Sequence, residues 1–185
     1  MKLFTAFFVS SALLASTCVA DVHWTYHPSV HTVDGPSVAY VTATFGTGEL
    51  RYAPPMKWAL SDSRFIPAGK VEADAYVVAV PIRVPAPWTP DRAKALHAAA
   101  LSQSVPKGAT GAAVLSEGVL PVLIDGQSAY EICLSYSYYG QVFSESTVYV
   151  EHGNTQLQFH LGCLQNDFST LHAAFLGSLL SVAGF

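Results

Sequence analysis

Strict alternation of apolar and polar residues dominates the last third of the chain. Residues 129–139 (AYEICLSYSYY), 144–151 (STVYV at their heart) and 155–163 (TQLQFHLGC) each repeat with period two, which predicts three strands. Gly140 and the Gly153-Asn154 pair supply short loops, so the three read as an antiparallel meander. Pairing Tyr139 with Ser144 and Glu151 with Gln156 sets a register. One face then holds Cys133, Ser135, Val148, Val150, Leu157, Phe159, Leu161 and Cys163. The other holds Ile132, Leu134, Tyr136, Tyr138 and Tyr149. Both faces are apolar, so the sheet is expected to be covered on both sides. In this register Cys133 lies opposite Val150 and Cys163 opposite Ser144, roughly 20 Å apart from strand spacing and rise. Disulfide partners need Cα atoms within about 7 Å, so both thiols are expected to be free and buried.

Upstream, residues 37–45 alternate and are β-branched, 50–60 read as a strand interrupted by Pro54-Pro55, and 73–84 form a strong strand that Pro81 confines to an edge or bulge. Residues 113–124 form another strand, kinked at Pro121 and closed by an Asp125-Gly126 turn. Helix signals occur twice. Thr89 as cap, Pro90 at the first helical position and Asp91 against the dipole open a helix that runs to about Gln103. Asp167 is expected to cap a second, whose apolar face carries Phe168, Leu171, Phe175, Leu179 and Val182. Residues 21–36, rich in His, Pro and turn formers, read as an extended arm.

The amino terminus changes the picture by placing the protein. Lys2, an apolar run over residues 3–15 and the small-x-small end Cys18-Val19-Ala20 have the layout of a signal peptide, residues 1–20. Secretion or a periplasmic location is the expectation. A lipid anchor at Cys18 is the alternative, but Ala15 and Thr17 do not suit a lipoprotein signal. Removing 20 of the 185 residues leaves 165, and since Lys2 is their only charge, 8 basic residues face 13 acidic ones, net −5. No Lys/Arg cluster exists to bind nucleic acid or an anionic membrane. No apolar run reaches the roughly 20 residues of a transmembrane span. The expected organisation is residues 1–20 as signal, 21–50 as arm and first strand, and 51–185 as one α+β domain, acting as a monomer.

The order of these elements resembles a known family. Tyr52-Ala53-Pro54-Pro55-Met56-Lys57-Trp58 precedes a long strand. A helix opened by Trp88-Thr89-Pro90-Asp91 comes next, then Leu123-Ile124-Asp125-Gly126-Gln127-Ser128-Ala129, the meander, and a closing stretch from Asn166-Asp167-Phe168 to Ser181. Over residues 51–182 this is similar to the PsbP-like family of photosynthetic extrinsic proteins, a eukaryotic Ran-release factor and small exported bacterial proteins. The resemblance implies an antiparallel β-sheet covered by helices on both faces. It also implies a role in binding, and it carries over no catalytic residue, because fold alone does not give function.

Candidate chemistry is sparse. Cleavage after Ala20 would leave a free amine at Asp21 followed by Val22 and His23; the amine, two backbone nitrogens and the imidazole form a square-planar chelate for copper or nickel. His27 and His31 follow as further ligands, although Pro28 argues against a helix there. His97, His152, His160 and His172 show no partner at ligand spacing and read as surface or boundary residues. There is no G-x-S-x-G elbow. A Cys133/His160 dyad would be buried under a helix, and Glu131, Glu145 and Glu151 read as solvent-edge positions. Tyr136, Tyr138 and Tyr149 form either a binding platform for a peptide, glycan or apolar ligand or a layer roofed by the Thr89 helix; the second reading is favoured. The expectation is an exported, non-catalytic accessory protein that binds an unknown protein or small molecule. The alternatives are a copper or nickel chelator and a small secreted enzyme.

Overall fold

The computed structural model describes residues 22–30, 38–45 and 48–184, with no side-chain description for 26–30 and 38; residues 1–20, Asp21 and His31 lie outside it. The protein is α+β, with two antiparallel sheets and two helices among the described residues.

Strands β1 (His23–Val30), β2 (Val38–Phe45) and β3 (Gly48–Tyr52) form a small sheet in that order. The large sheet has seven strands: β4 (Trp58–Ser61), β5 (Arg64–Pro67), β6 (Asp74–Pro81), β7 (Thr110–Ile124), β8 (Gln127–Tyr138), β9 (Gln141–His152) and β10 (Thr155–Leu164), ordered β4-β5-β6-β10-β9-β8-β7. Helix α1 (Pro90–Gln103) lies between β6 and β7 in the chain, and α2 (Gln165–Leu179) follows β10.

Three expectations need correction. Residues 21–36 are not simply an arm, because His23–Val30 pairs along β2 from His23↔Thr44. Residues 50–60 do not form one interrupted strand: Pro54-Pro55 separates β3 from β4, which lie in different sheets. Asp167 does not cap α2. Leu164 takes the cap position without a side-chain hydrogen bond, and Asp167 lies in the first turn, where it suits the helix dipole and pairs with Lys70 at 2.7 Å.

The β8–β9 register also differs. Tyr139 and Gly140 both take positive φ, 48° and 77°, so the chain reverses in a two-residue turn and Tyr138 pairs with Gln141. Cys133 therefore lies opposite Ser146 and not Val150. The slip is four residues, an even number, so every side chain keeps its face. β9 and β10 pair with Glu151 opposite Gln156 and Cys163 opposite Ser144. The two cysteines are then two strands and two residues apart, roughly 12 Å from strand spacing and rise. That is still beyond disulfide reach, and both thiols are free and buried.

Alternation along the central strands sends two sets of side chains to two helices. Leu171, Phe175 and Leu179 of α2 join Val148, Val150, Leu157, Phe159 and Leu161, and the same cluster takes in Val41, Leu50 and Tyr52 from the small sheet. Tyr52 Oη meets Ser178 Oγ at 2.7 Å, and Arg51 bridges to Ala183, fastening that sheet to the end of α2. Against α1 lie Tyr130, Ile132, Leu134, Tyr136 and Tyr149. The loop before α1 is pinned to the end of β9. Arg92 pairs with Glu151, which also accepts from Gln156 Nε2 at 2.7 Å and from the Ala86 backbone N–H at 3.1 Å. Thr89 caps α1 through the Arg92 N–H.

Candidate functional site

The layer under α1 is loosely filled. Only Ala100 of that helix is fully buried, and its inward positions are small or half-buried: Leu96, Ala99 and Ala100. Between them and the sheet lies a cavity of about 320 Å³. Its roof comes from Leu96, Ala99, Ala100 and Gln103 of α1, with Ser104 at the end of the helix. Its floor carries Tyr76, Tyr149, Gln158 and His160 from β6, β9 and β10. A space of this size with an apolar wall and a few polar groups is suited to a small ligand.

The floor is chemically ordered. His160 stacks on Tyr76 with ring centroids 4.6 Å apart and planes 11° from parallel, and its Nδ1 is 3.1 Å from Thr147 Oγ1. Burial, helped by the nearby Arg64 charge, pushes the imidazole down to about 4, so it is neutral at physiological pH. Burial likewise pushes Tyr149 up to about 12, leaving a neutral phenol. Further along the same face Tyr136 donates to Glu145 Oε1 at 2.6 Å. Burial pushes Glu145 up to about 7; the Tyr136 hydrogen bond opposes this and the Asp74 charge adds to it.

A second group gathers beside α2. Glu131 and Cys133, two residues apart on β8, face His172 of α2, and Ser146 lies opposite Cys133 on β9. Glu131 Oε1 is 2.6 Å from His172 Nε2 and accepts from Ser146 Oγ at 2.6 Å; Cys133 Sγ is 4.0 Å from the same Nε2. Phe168 stacks on the imidazole, with centroids 4.8 Å apart. Desolvation alone would lower the His172 pKa, but its bonds to Cys133 and Glu131 prevail and hold it at about 9. Desolvation would raise Glu131, yet His172 and Ser146 bring it below the ordinary carboxylate value. Because one nitrogen faces both the thiol and the carboxylate, this is not a nucleophile–base–orienter relay, in which the two ring nitrogens serve different partners.

The residues singled out from sequence fall as follows. Tyr136 and Tyr149 are buried in the layer against α1, and Tyr138 is half-buried at its margin. His23 begins β1 and is exposed, Val22 packs on the core, and His27 pairs with Tyr40, its side chain outside the description. Cys133 meets His172 and not His160, which the pleat puts on the opposite face. The three glutamates are not solvent-edge residues. Glu151 is 6% exposed and paired with Arg92, and Glu131 and Glu145 are half-buried with partners. His97 also has one, Glu117 at 2.9 Å. His172 was missed because its partners lie 39 and 41 residues away. Folding the expected α2 onto the Cys133 face of the sheet would have found it.

No protein-family model and no curated protein matches the chain. Solved structures do. The solution structure of cyanobacterial PsbP from Synechocystis sp. PCC 6803 matches with a TM-score of 0.51 at 13% identity, over 96% of this chain and 99% of that one. LpqN, involved in cell envelope biogenesis of Mycobacterium tuberculosis, matches with a TM-score of 0.55 at 14% identity, over 88% and 90%. The chain has the PsbP-like fold. At these identities the likeness is one of fold, and the site has to be argued from its own residues.

Proposed function

We propose that this protein is an exported accessory protein of the cell envelope or extracellular space, which binds a small amphipathic molecule in the cavity beneath α1. The observation that carries the reading is that cavity: about 320 Å³, roofed by Leu96, Ala99, Ala100 and Gln103 and floored by Tyr76, Val78, Val80, Tyr149, Gln158 and a neutral His160. Such a lining favours an uncharged, partly aromatic ligand, with stacking from the tyrosines and one or two hydrogen bonds from the floor. Binding is favoured over catalysis because Glu145 is engaged by Tyr136 and does not line the cavity beside His160. Export rests on the signal-peptide layout of residues 1–20. Two further features agree with it: no helix among the described residues is long and apolar enough to cross a membrane, and a structural neighbour, LpqN, serves cell envelope biogenesis.

The test is fluorescence titration with the uncharged aromatic probe N-phenyl-1-naphthylamine, comparing the protein with an Ala99→Leu variant that fills the cavity. Saturable one-to-one binding, lost in the variant, supports the reading. Equal binding by both, or none by the unaltered protein, overturns it.

A second proposal keeps copper or nickel at the processed terminus, through Asp21, Val22 and His23; His27, four residues further along β1, is roughly 13 Å away by strand rise. What favours it is the exposure of His23 at the first position of β1. Coordination would compete with the His23↔Thr44 pairing, so metal should loosen the start of β1. A Cu(II) titration of protein verified to begin at Asp21, beside His23→Ala, decides it: a square-planar signal lost in the variant supports chelation, and its absence excludes it.

A further inference from the structure

Glu131, Cys133 and His172 come from two elements, and their ligand atoms all lie within 4.8 Å of one another. A thiol, an imidazole nitrogen and a carboxylate oxygen are the donors zinc uses, at about 2.3 Å for sulfur and about 2.0–2.2 Å for nitrogen and oxygen. Around a tetrahedral ion such donors are roughly 3.3–3.7 Å from one another, from those bond lengths. Here sulfur and nitrogen are 4.0 Å apart and nitrogen and oxygen 2.6 Å. One gap closes and the other opens by less than an ångström, within reach of small side-chain rotations.

Three further features fit a built site. Glu131 and Cys133, two residues apart on one face of β8, both turn toward the His172 imidazole on α2. The donors are already oriented, Glu131 by Ser146 and the His172 ring by Phe168 one turn earlier on α2. Finally, a polar row extends along the same face: Ser144 is fully buried two residues from Ser146, and its Oγ has no hydrogen-bond partner among the described residues. The Glu131 and His172 side chains keep 14% and 21% of their surface exposed, leaving room for water as a fourth ligand.

We infer that Glu131, Cys133 and His172 form a binding site for a zinc-class divalent cation, which clips α2 to β8. The site differs in residues and place from both the cavity and the amino-terminal chelate. It also gives the free thiol of an exported chain a defined partner in an oxidising compartment.

Cobalt(II) alone is the probe, added to the full processed chain under reducing conditions and read by the thiolate-to-cobalt charge-transfer band and the intense visible bands of tetrahedral coordination. The expected result is a one-to-one titration, reversed by zinc. The band should be lost in Cys133→Ser and retained in Cys163→Ser and His23→Ala, with circular dichroism showing each variant folded. Zinc should raise the melting temperature of the unaltered protein and not of Cys133→Ser. Absence of the band in folded protein, or its survival in Cys133→Ser, overturns the assignment.

Discussion

Helices α1 and α2 have 14 and 15 residues, yet they meet the sheet in different ways. α2 buries Leu171, Phe175 and Leu179 fully, against Val148, Val150, Leu157 and Phe159. α1 buries only Ala100 fully, and the cavity beneath it is floored by Tyr76, Val78, Val80, Tyr149, Gln158 and His160. Large side chains on α2 interdigitate with small and branched ones below, as close-packed interiors require. Small side chains on α1 cannot reach a floor whose polar tips also need room, and the cavity is the result. One helix therefore frames the fold, while the other encloses space.

Substitutions that remove apolar contact should separate the two layers most clearly. Phe175→Ala is expected to cost about 3–5 kcal/mol in urea unfolding, since Phe175 is buried in the α2 cluster. Leu96→Ala in α1 should cost about 1–2 kcal/mol, because its side chain is half-buried beside empty space. Equal losses would break the comparison.

Proton linkage sharpens it. Glu145, raised from 4.5 to about 7 on folding, gives stability that is full below pH 4.5 and is lost as pH rises through about 7. His160, lowered from 6.5 to about 4, gives stability that is present above pH 6.5 and is lost as pH falls through about 4. Between pH 4.5 and 6.5 the two slopes oppose and cancel. Their surroundings are Tyr136 and Asp74 for Glu145, and Thr147, Tyr76 and Arg64 for His160. The His172–Glu131 pair adds slope only at the two ends of that window, where the unfolded glutamate and histidine titrate, and little between them. His172 holds its proton up to about 9, and Glu131 loses its own below the ordinary value. Glu145→Gln should therefore uncover a stability that rises by about 1 kcal/mol per pH unit from pH 4.5 to 6.5, and His160→Gln one that falls as steeply. Denaturation midpoints across that range check this, and unchanged flat profiles in both variants would contradict it.

Filling the space is a smaller effect of opposite sign. Ala99→Leu should raise stability by about 1 kcal/mol, read in the same urea transition, since added methylenes enter a cavity and not a packed core. Smallest is the turn between β8 and β9. Tyr139 takes φ 48° there, a conformation asparagine tolerates better, so Tyr139→Asn should add about 0.5 kcal/mol. The lost contact with Tyr138, 4.3 Å between ring centroids, reduces that gain.

These same places show how far the sequence could be read. The α1 start was legible because cap, proline and acid are local signals, and Thr89 is the cap. Strand faces were legible because period two survives any even slip, and the β8–β9 slip was four residues. The turn itself was not, because tyrosine at positive φ is not a recognised turn signal. β5 is four residues long, too short for periodicity to mark it. Neither site was visible as a motif. The cavity arises from side chains absent on α1, and the Glu131–Cys133–His172 cluster joins a strand to a helix some forty residues later.

The most direct test of the division between frame and enclosure is amide chemical-shift mapping of the protein titrated with the uncharged probe N-phenyl-1-naphthylamine. Shifts concentrated at Tyr76, Leu96, Ala99, Tyr149 and His160, with Leu171, Phe175 and Leu179 unmoved, are the predicted result. Shifts centred on α2 and the small sheet, with the α1 layer silent, would contradict it.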